Sequence, residues 1–286
     1  MTNNKYTEKE ILESLYKSGY LLESEITKSL VEFGFFVESN VSSLDPLTSK
    51  SRELDLIAEF DHEDNEERYR NEIIAKVRFV FEIKNNNAPL VLLTKYVWSP
   101  NSHIWNGLKV AVTMPKHLEN YFFHGFYDVL FNNQPKEMFT QYCSFSKKNN
   151  KEGELMAHHP ENIYSSLLKI THYCEESIED WNDPDKEYNG SYFRKFLYLP
   201  IILINEDLFE LETEDNNDYK LKKVNCSRLV FNYHYKQKPK TAIIHIVTKT
   251  GLKDFLIEVL KAEKEVEKNM LKAKEEFNEK SMGKKK

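Results

Sequence analysis

Two acidic residues and a lysine interrupt apolar stretches that otherwise have the composition of β-strands. Asp55 lies within residues 54–58, and Glu82 and Lys84 lie within residues 80–84. Both stretches are rich in β-branched and aromatic residues and are bounded by polar runs, which predicts strands. Burial disfavours the charged form of a carboxylate unless a metal ion, another cation or hydrogen bonds compensate for it. The chain must therefore fold so that these acids meet a compensating group.

Period-2 alternation predicts which of these side chains share a face of the sheet. It places Asp55 with Glu53 and Ile57 on one strand, and Glu82 with Lys84 on the other. On neighbouring strands, such faces would bring the acids and the lysine together. The alternative is that both strands lie at a solvated face, where Glu82 and Lys84 form an exposed ion pair of little energetic weight.

A predicted helix upstream of the two strands carries a third acid. It runs from about Ser18 to Phe33 and is stopped by Gly34, a residue suited to the left-handed position after a helix. Its apolar stripe, at helical spacing, consists of Leu22, Ile26, Leu30 and Phe33. Glu23 lies nearer the edge of this stripe than Glu25 does, so Glu23 is the favoured candidate for a site residue.

This order of motifs resembles the PD-(D/E)xK, or restriction-endonuclease-like, nuclease superfamily. The similar proteins carry a Gly-aromatic-x-Leu-Glu helix, an Asp-Pro turn, Arg-Glu-hydrophobic-Asp and then hydrophobic-Glu-x-Lys. The corresponding segments here are residues 19–23, 45–46, 52–55 and 81–84. The resemblance covers about the first third of the chain at motif level. This sequence departs from the pattern in having no proline after the first acid and in having Ile83 where a small residue is common.

The resemblance implies hydrolysis of phosphodiester bonds by a site that binds Mg²⁺, for which Mn²⁺ can substitute. Asp55 and Glu82 would be the metal ligands, since Mg²⁺ is usually held by one or two protein carboxylates and keeps several waters. Glu23 would be a second-site ligand or would orient a water. Lys84 would hold the attacking water or stabilise charge that develops on the phosphate.

Four neighbouring residues are weaker candidates. Arg52 and Lys95 are candidate phosphate contacts, although an ordinary solvated surface position is the commoner explanation for either one. Glu53 is either an auxiliary ligand or the salt-bridge partner of a nearby cation. Asp45 precedes a proline, and an Asp-Pro step most often shapes a turn.

The fold class predicted from the order of elements is α/β, with a mixed central sheet flanked by helices. The resemblance implies an αβββαβ core, extended by extra C-terminal strands and a long C-terminal helix. We expect one elaborated domain, with its core at about residues 7–95 and 157–250 and an insertion at about 96–156. The C-terminal helix and a basic tail would occupy about 251–286. Helices are predicted after a capping box at Thr7 and, as a crossover, at 160–181. Further strands are predicted at 35–43, 196–204, 227–235 and 241–247. A turn is predicted at Pro239 and Lys240, and a solvated acidic loop at 61–72.

Composition limits the classes of partner. The net charge of −6 argues against a generally basic surface for nucleic acid, so any such surface must be local. No apolar run is long enough to cross a membrane, and the polar start is unlike a signal peptide, which predicts a cytoplasmic location. The three cysteines, Cys143, Cys174 and Cys226, suggest neither a disulfide framework nor a zinc site.

Two functional classes therefore remain. The first is a Mg²⁺-dependent nuclease that acts on DNA, an endonuclease rather than an exonuclease, with a role in defence against foreign DNA or in DNA processing implied by the resemblance. The second is a catalytically silent relative that binds nucleic acid or a protein partner. Because cutting both strands of a duplex commonly needs two sites, a homodimer is left open.

Overall fold

The computed structural model describes residues 6–45, 50–60, 62, 73–97, 104–113, 125–131, 137–147, 154–181, 193–213 and 218–283. The predicted acidic loop at 61–72, apart from His62, and the basic tail at 284–286 lie outside the described residues. So does Pro46 of the Asp-Pro step.

Two helices open the described chain, and their ends follow from capping residues. Helix α1 (Glu8–Ser18) begins with the predicted capping box at Thr7 and ends at Gly19, which has a φ of 92°. Helix α2 (Tyr20–Phe33) ends at Gly34, which has a φ of 102°. Both glycines adopt the left-handed conformation that other residues adopt only with strain. The predicted end of α2 at Gly34 is confirmed.

Within the described residues, twelve strands and three further α-helices follow. The strands are β1 (Phe35–Leu44), β2 (Ser51–Phe60), β3 (Ile73–Lys84), β4 (Leu90–Leu92), β5 (Lys109–Thr113), β6 (Tyr142–Lys147), β7 (Leu155–His158), β8 (Phe193–Ile204), β9 (Leu208–Thr213), β10 (Tyr219–Val224), β11 (Cys226–Tyr235) and β12 (Lys238–Thr248). The remaining helices are α3 (Phe126–Phe131), α4 (Glu161–Trp181) and α5 (Leu252–Gly283).

The strands form two sheets. The larger has the order β1-β2-β3-β8-β12-β11, with β5 also paired to β8, and the smaller has the order β10-β9-β4-β6-β7. Strand β8 is parallel to both β3 and β12. Strand β2 is antiparallel to both of its neighbours, β1 and β3. The protein is therefore a mixed α/β structure with a mixed sheet and a long C-terminal helix, as predicted. The segment expected to be an insertion contributes β5 to the larger sheet, and β6 and β7 to the smaller one.

Helices cover both faces of the larger sheet, which explains the continuous apolar sequence of its central strands. One core contains apolar residues of α2, α3 and α5, and it includes Phe79 and Phe81 of β3. The other contains apolar residues of α4, and it includes Val80 of β3. Consecutive residues of β3 thus enter opposite cores, so that polar side chains on this strand are surrounded by apolar neighbours.

One local prediction is wrong. The turn between β11 and β12 is formed by Lys236 and Gln237, with φ of 46° and 62°, and Pro239 and Lys240 lie within β12. A two-residue hairpin needs positive φ, which proline cannot adopt. Most charged residues of α5 are exposed, whereas Glu263 is completely buried. No helix of the described residues is long and apolar enough to cross a membrane.

Candidate active site

The ladder between β2 and β3 is short, and the strands separate beyond its ends. It runs from Leu56 paired with Phe81 to Glu59 paired with Arg78. Amides on one edge of a strand recur every two residues, so Val77 and Ile83 each present an N–H just beyond an end of the ladder. Side-chain carboxylates accept these two amides. The candidate active site forms at the Ile83 end.

Asp55 accepts the Ile83 amide at this point of separation. The amide nitrogen of Ile83 lies 2.6 Å from Asp55 Oδ2. This hydrogen bond satisfies a backbone donor that has lost its ladder partner, and it fixes the carboxylate beside β3. The second oxygen, Oδ1, lies 3.9 Å from Nζ of Lys169, which reaches the site from α4.

Glu82 lies on the adjacent strand and is completely buried. Its Oε2 accepts hydrogen bonds from Ser166 Oγ at 2.9 Å and from Lys84 Nζ at 3.0 Å. Its Oε1 is in ion-pair contact with Lys169, and no hydrogen bond to Oε1 is found within the described part of the chain. Glu82 is therefore a buried carboxylate whose second oxygen faces only a cation.

Lys169 occupies the space between the two carboxylates. Its ammonium contacts Glu82, lies 3.9 Å from Asp55 and donates to the main-chain oxygen of Glu53 at 2.6 Å. The ammonium thus stands at the position from which a cation would bridge Asp55 Oδ1 and Glu82 Oε1. The site is consequently a cluster of carboxylates with a cation among them.

Glu23 reaches the same cluster from α2. Together with Asp55 it lines a groove of about 460 Å³ between α2 and the β1–β2 hairpin. Its pKa is raised, first because burial disfavours the charged carboxylate and then because Asp55 repels it, while Lys84 and Lys169 act in the opposite direction. A carboxylate with a raised pKa is a better proton acceptor at neutral pH. The structure thus brings Glu23, Asp55, Glu82 and Lys84 within electrostatic reach of one another.

The predicted alternation of β2 does not continue through Asp55. Leu54 and Ile57 enter the core below α4, although alternation would place them on opposite faces, and Leu56 enters the other core. Asn40, opposite Asp55, has a φ of 54°, and this pair is missing from the β1–β2 ladder. The hairpin is distorted here, so Asp55 does not share a simple strand face with Glu53 and Ile57.

The weaker candidates have other surroundings. Arg52 forms an ion pair with Asp45 and lines a cavity beside α4. Glu53 is exposed, and its main-chain oxygen rather than its carboxylate contacts Lys169. Lys95 is paired with Glu137 at 2.6 Å, and this hydrogen bond raises its pKa; the acids that act on it do not include Asp55 or Glu82.

The donor set fits a divalent cation held by two protein ligands. Among the described residues, no group of three or more His, Cys, Asp or Glu side chains is arranged to hold a metal ion. Mg²⁺ does not require one, since it is usually bound by one or two carboxylates and by waters. Asp55 Oδ1 and Glu82 Oε1 would be these two ligands, and Lys169, which contacts Glu82 Oε1, would have to move from between them.

Comparisons with known proteins add no family assignment. No protein-family model matches the chain, and neither curated proteins nor solved structures gave a significant match.

Sequence reasoning missed Lys169 and Ser166, the two residues that α4 contributes. Both were passed over because α4 was interpreted only through its apolar positions. The signal was present, because Ser166 and Lys169 are three residues apart and flanked by buried Leu167 and Ile170. Two polar residues at this spacing within an apolar helix face indicate a polar partner beneath the helix.

The metal-free protein should become more stable at neutral pH when Asp55 is replaced by asparagine. Burial, followed by repulsion from Glu82, raises the pKa of Asp55, so its ionised form is disfavoured in the folded state. Asparagine keeps an oxygen for the Ile83 amide and carries no charge. The destabilising contribution of ionised Asp55 is present at neutral pH and disappears as the pH falls through the raised pKa.

Thermal unfolding of both proteins, measured in EDTA from neutral to acidic pH, checks the prediction. We expect a higher midpoint for Asp55→Asn at pH 7 and convergence with the wild type in acid. A lower midpoint at pH 7, or a difference that is independent of pH, would contradict it.

Proposed function

We propose that this protein is a Mg²⁺-dependent nuclease that hydrolyses phosphodiester bonds in DNA, with a restriction-endonuclease-like core. One observation carries the proposal. A completely buried carboxylate, Glu82, lies beside a second, partly buried carboxylate, Asp55, and Glu82 Oε1 and Asp55 Oδ1 flank a cationic group. Two neighbouring carboxylates in a largely buried position repel each other, and a cation between them offsets that cost.

Asp55 and Glu82 would hold the cation, which would polarise the phosphate and favour ionisation of a nearby water. Glu23, with its raised pKa, would accept the proton of the attacking water. Lys84 is a donor, since its ammonium bonds to Glu82 Oε2, and it would stabilise negative charge on the phosphate oxygens. Three acids and two lysines leave the cluster with a formal charge of −1, and a divalent cation makes it attractive to the phosphate backbone.

The order of elements supports the finer assignment of the fold. Helix α2 is followed by β1, β2 and β3, and then, after the intervening segment, by α4 and β8. This is the αβββαβ order that the motif resemblance implies. Within it, α2 supplies Glu23, β2 supplies Asp55, and β3 supplies Glu82 and Lys84.

A catalytically silent module is the second candidate, and one observation favours it. Lys84 and Lys169 already contact Glu82, so ion pairs within the chain compensate this buried charge without a metal. Under that interpretation the cluster would serve only stability, and the fold would bind nucleic acid or a protein partner. Cation binding and cleavage by the purified protein separate the two candidates.

The direct test incubates the purified full chain with supercoiled plasmid, circular single-stranded DNA and a folded RNA. Each substrate is treated in the presence of Mg²⁺, Mn²⁺ or EDTA. We expect cleavage of DNA with either metal and none with EDTA. Cleavage of RNA alone would overturn the assignment to DNA, and no cleavage of any substrate would favour the silent module.

A further inference from the structure

A second cavity lies next to the carboxylates, between α4 and the start of β2. It has a volume of about 260 Å³ and is lined by Leu44, Arg52, Tyr164, Leu168 and Lys169, among other residues. One water molecule occupies roughly 30 Å³ in the liquid, so the space admits a ring system but not a duplex. Its wall is thus partly apolar and aromatic, and it carries two cations, Arg52 and Lys169, and one carboxylate, Asp45.

This combination suits a particular class of ligand. A nucleotide has a flat base that stacks on aromatic and apolar side chains, and a phosphate that pairs with lysine and arginine. Tyr164 is 44% exposed and is therefore accessible to such a base. Arg52 is held by Asp45, and its side chain is 49% exposed, so it is accessible from solvent.

Lys169 belongs to the cavity and to the carboxylate cluster at once. It lines the cavity, and its ammonium lies between Asp55 and Glu82. Two cations cannot share that space, because their repulsion is large in a partly buried environment. A divalent ion bound by the carboxylates would therefore expel the ammonium, and the flexible four-carbon stem of lysine allows the ammonium to move while Cα stays fixed.

We infer that this cavity binds the nucleotide next to the scissile phosphate. When a divalent cation binds, the side chain of Lys169 moves, so that its ammonium leaves the carboxylates and contacts the phosphate of this nucleotide. The inference rests on the proposed function, because it assigns the substrate contacts of that same site. Arg52 is the second phosphate contact, and Tyr164 and Leu168 contact the base. Lys169 is thus a positioning residue that couples metal binding to nucleotide binding.

Coupling of this kind is reciprocal and measurable without catalysis. A deoxynucleoside monophosphate such as dTMP contains no phosphodiester bond to cut, so its binding can be measured in the presence of Mg²⁺. Mg²⁺ should increase the affinity of the wild type for dTMP, and dTMP should increase the affinity for Mg²⁺ by the same factor. Typical coupling corresponds to about 5- to 150-fold.

The experiment measures dTMP and Mg²⁺ binding by calorimetry, each with and without the other. In Lys169→Met, Mg²⁺ alone should bind more tightly than in the wild type, because no ammonium competes, and the coupling factor should fall towards one. Arg52→Gln should weaken dTMP binding and leave Mg²⁺ binding unchanged. Lys264→Gln, an exposed position on α5, is the matched control and should change neither.

Three results would overturn the inference. The first is that Mg²⁺ and dTMP bind to the wild type without coupling. The second is that Lys169→Met binds Mg²⁺ no more tightly than the wild type does. The third is that inorganic phosphate binds as tightly as dTMP. If Lys169→Met does not fold, the Arg52 variant and the phosphate comparison still decide the matter. Cleavage without coupling would refute this inference alone, whereas coupling without cleavage would refute the proposed hydrolysis and leave the nucleotide site intact.

Discussion

Replacing Glu82 by glutamine is expected to reduce the rate of Mg²⁺-dependent DNA cleavage by at least about a hundredfold. Glutamine has nearly the same shape and keeps an oxygen for Ser166 and Lys84, but it removes the negative charge that would hold the cation. Lys84 and Lys169 are 20% and 19% exposed at their side chains, so water can solvate them once Glu82 is neutral. The loss should therefore appear in cleavage and metal binding rather than in folding.

Glu53→Gln is the matched control, because it removes the same charge from an exposed carboxylate two residues from Asp55. Initial cleavage rates, circular dichroism and Mg²⁺ titrations are compared for the wild type and both variants. We expect Glu53→Gln to behave like the wild type in all three measurements. Unchanged cleavage by Glu82→Gln would remove Glu82 from the site.

Replacing Glu263 by alanine is expected to lower the free energy of unfolding by about 3–5 kcal/mol. Glu263 lies on α5 and is completely buried. Its Oε2 accepts the Val77 amide at 2.6 Å, and its Oε1 contacts Nε2 of His62. Val77 presents the amide beyond the other end of the β2–β3 ladder, so alanine would leave a buried N–H and a buried histidine without this partner.

Glu265→Ala provides the comparison on the same helix, since Glu265 is exposed. Chemical denaturation followed by circular dichroism gives the unfolding free energy of each variant. We expect Glu265→Ala to lie within about 0.5 kcal/mol of the wild type. A decrease in unfolding free energy of less than about 1 kcal/mol in Glu263→Ala would show that the Val77 amide does not need this carboxylate as its acceptor.

The strands of the larger sheet other than β5, and the helix ends, could be predicted because they depend on local chemistry, whereas β5 and the strands of the smaller sheet were not predicted. Thr7 with Glu10 forms a capping box from side chains three residues apart, and Gly19 and Gly34 supply the positive φ that ends each helix. Asp55 and Glu82 could be noticed because a charge in an apolar strand needs compensation wherever the strand lies. These features are properties of short segments.

Long-range partners could not be predicted in the same way. Lys169 meets Glu82 from a position 87 residues later in the chain, and nothing near Lys169 distinguishes it from an exposed helical lysine except its apolar neighbours. Glu263 lies in a helix of alternating charges, and only the packing of α5 against β3 selects it for burial. The distortion at Asn40, which alters the face of Asp55, likewise depends on pairing between strands.

The central claim is that Asp55 and Glu82 hold a divalent cation where Lys169 now lies. Anomalous scattering from a crystal of the full chain soaked in Mn²⁺ tests it most directly. We predict a peak within bonding distance of Asp55 Oδ1 and Glu82 Oε1, with the ammonium of Lys169 displaced. A Mn²⁺ peak elsewhere, or a saturated soak in which Lys169 still bridges both carboxylates, would contradict the claim.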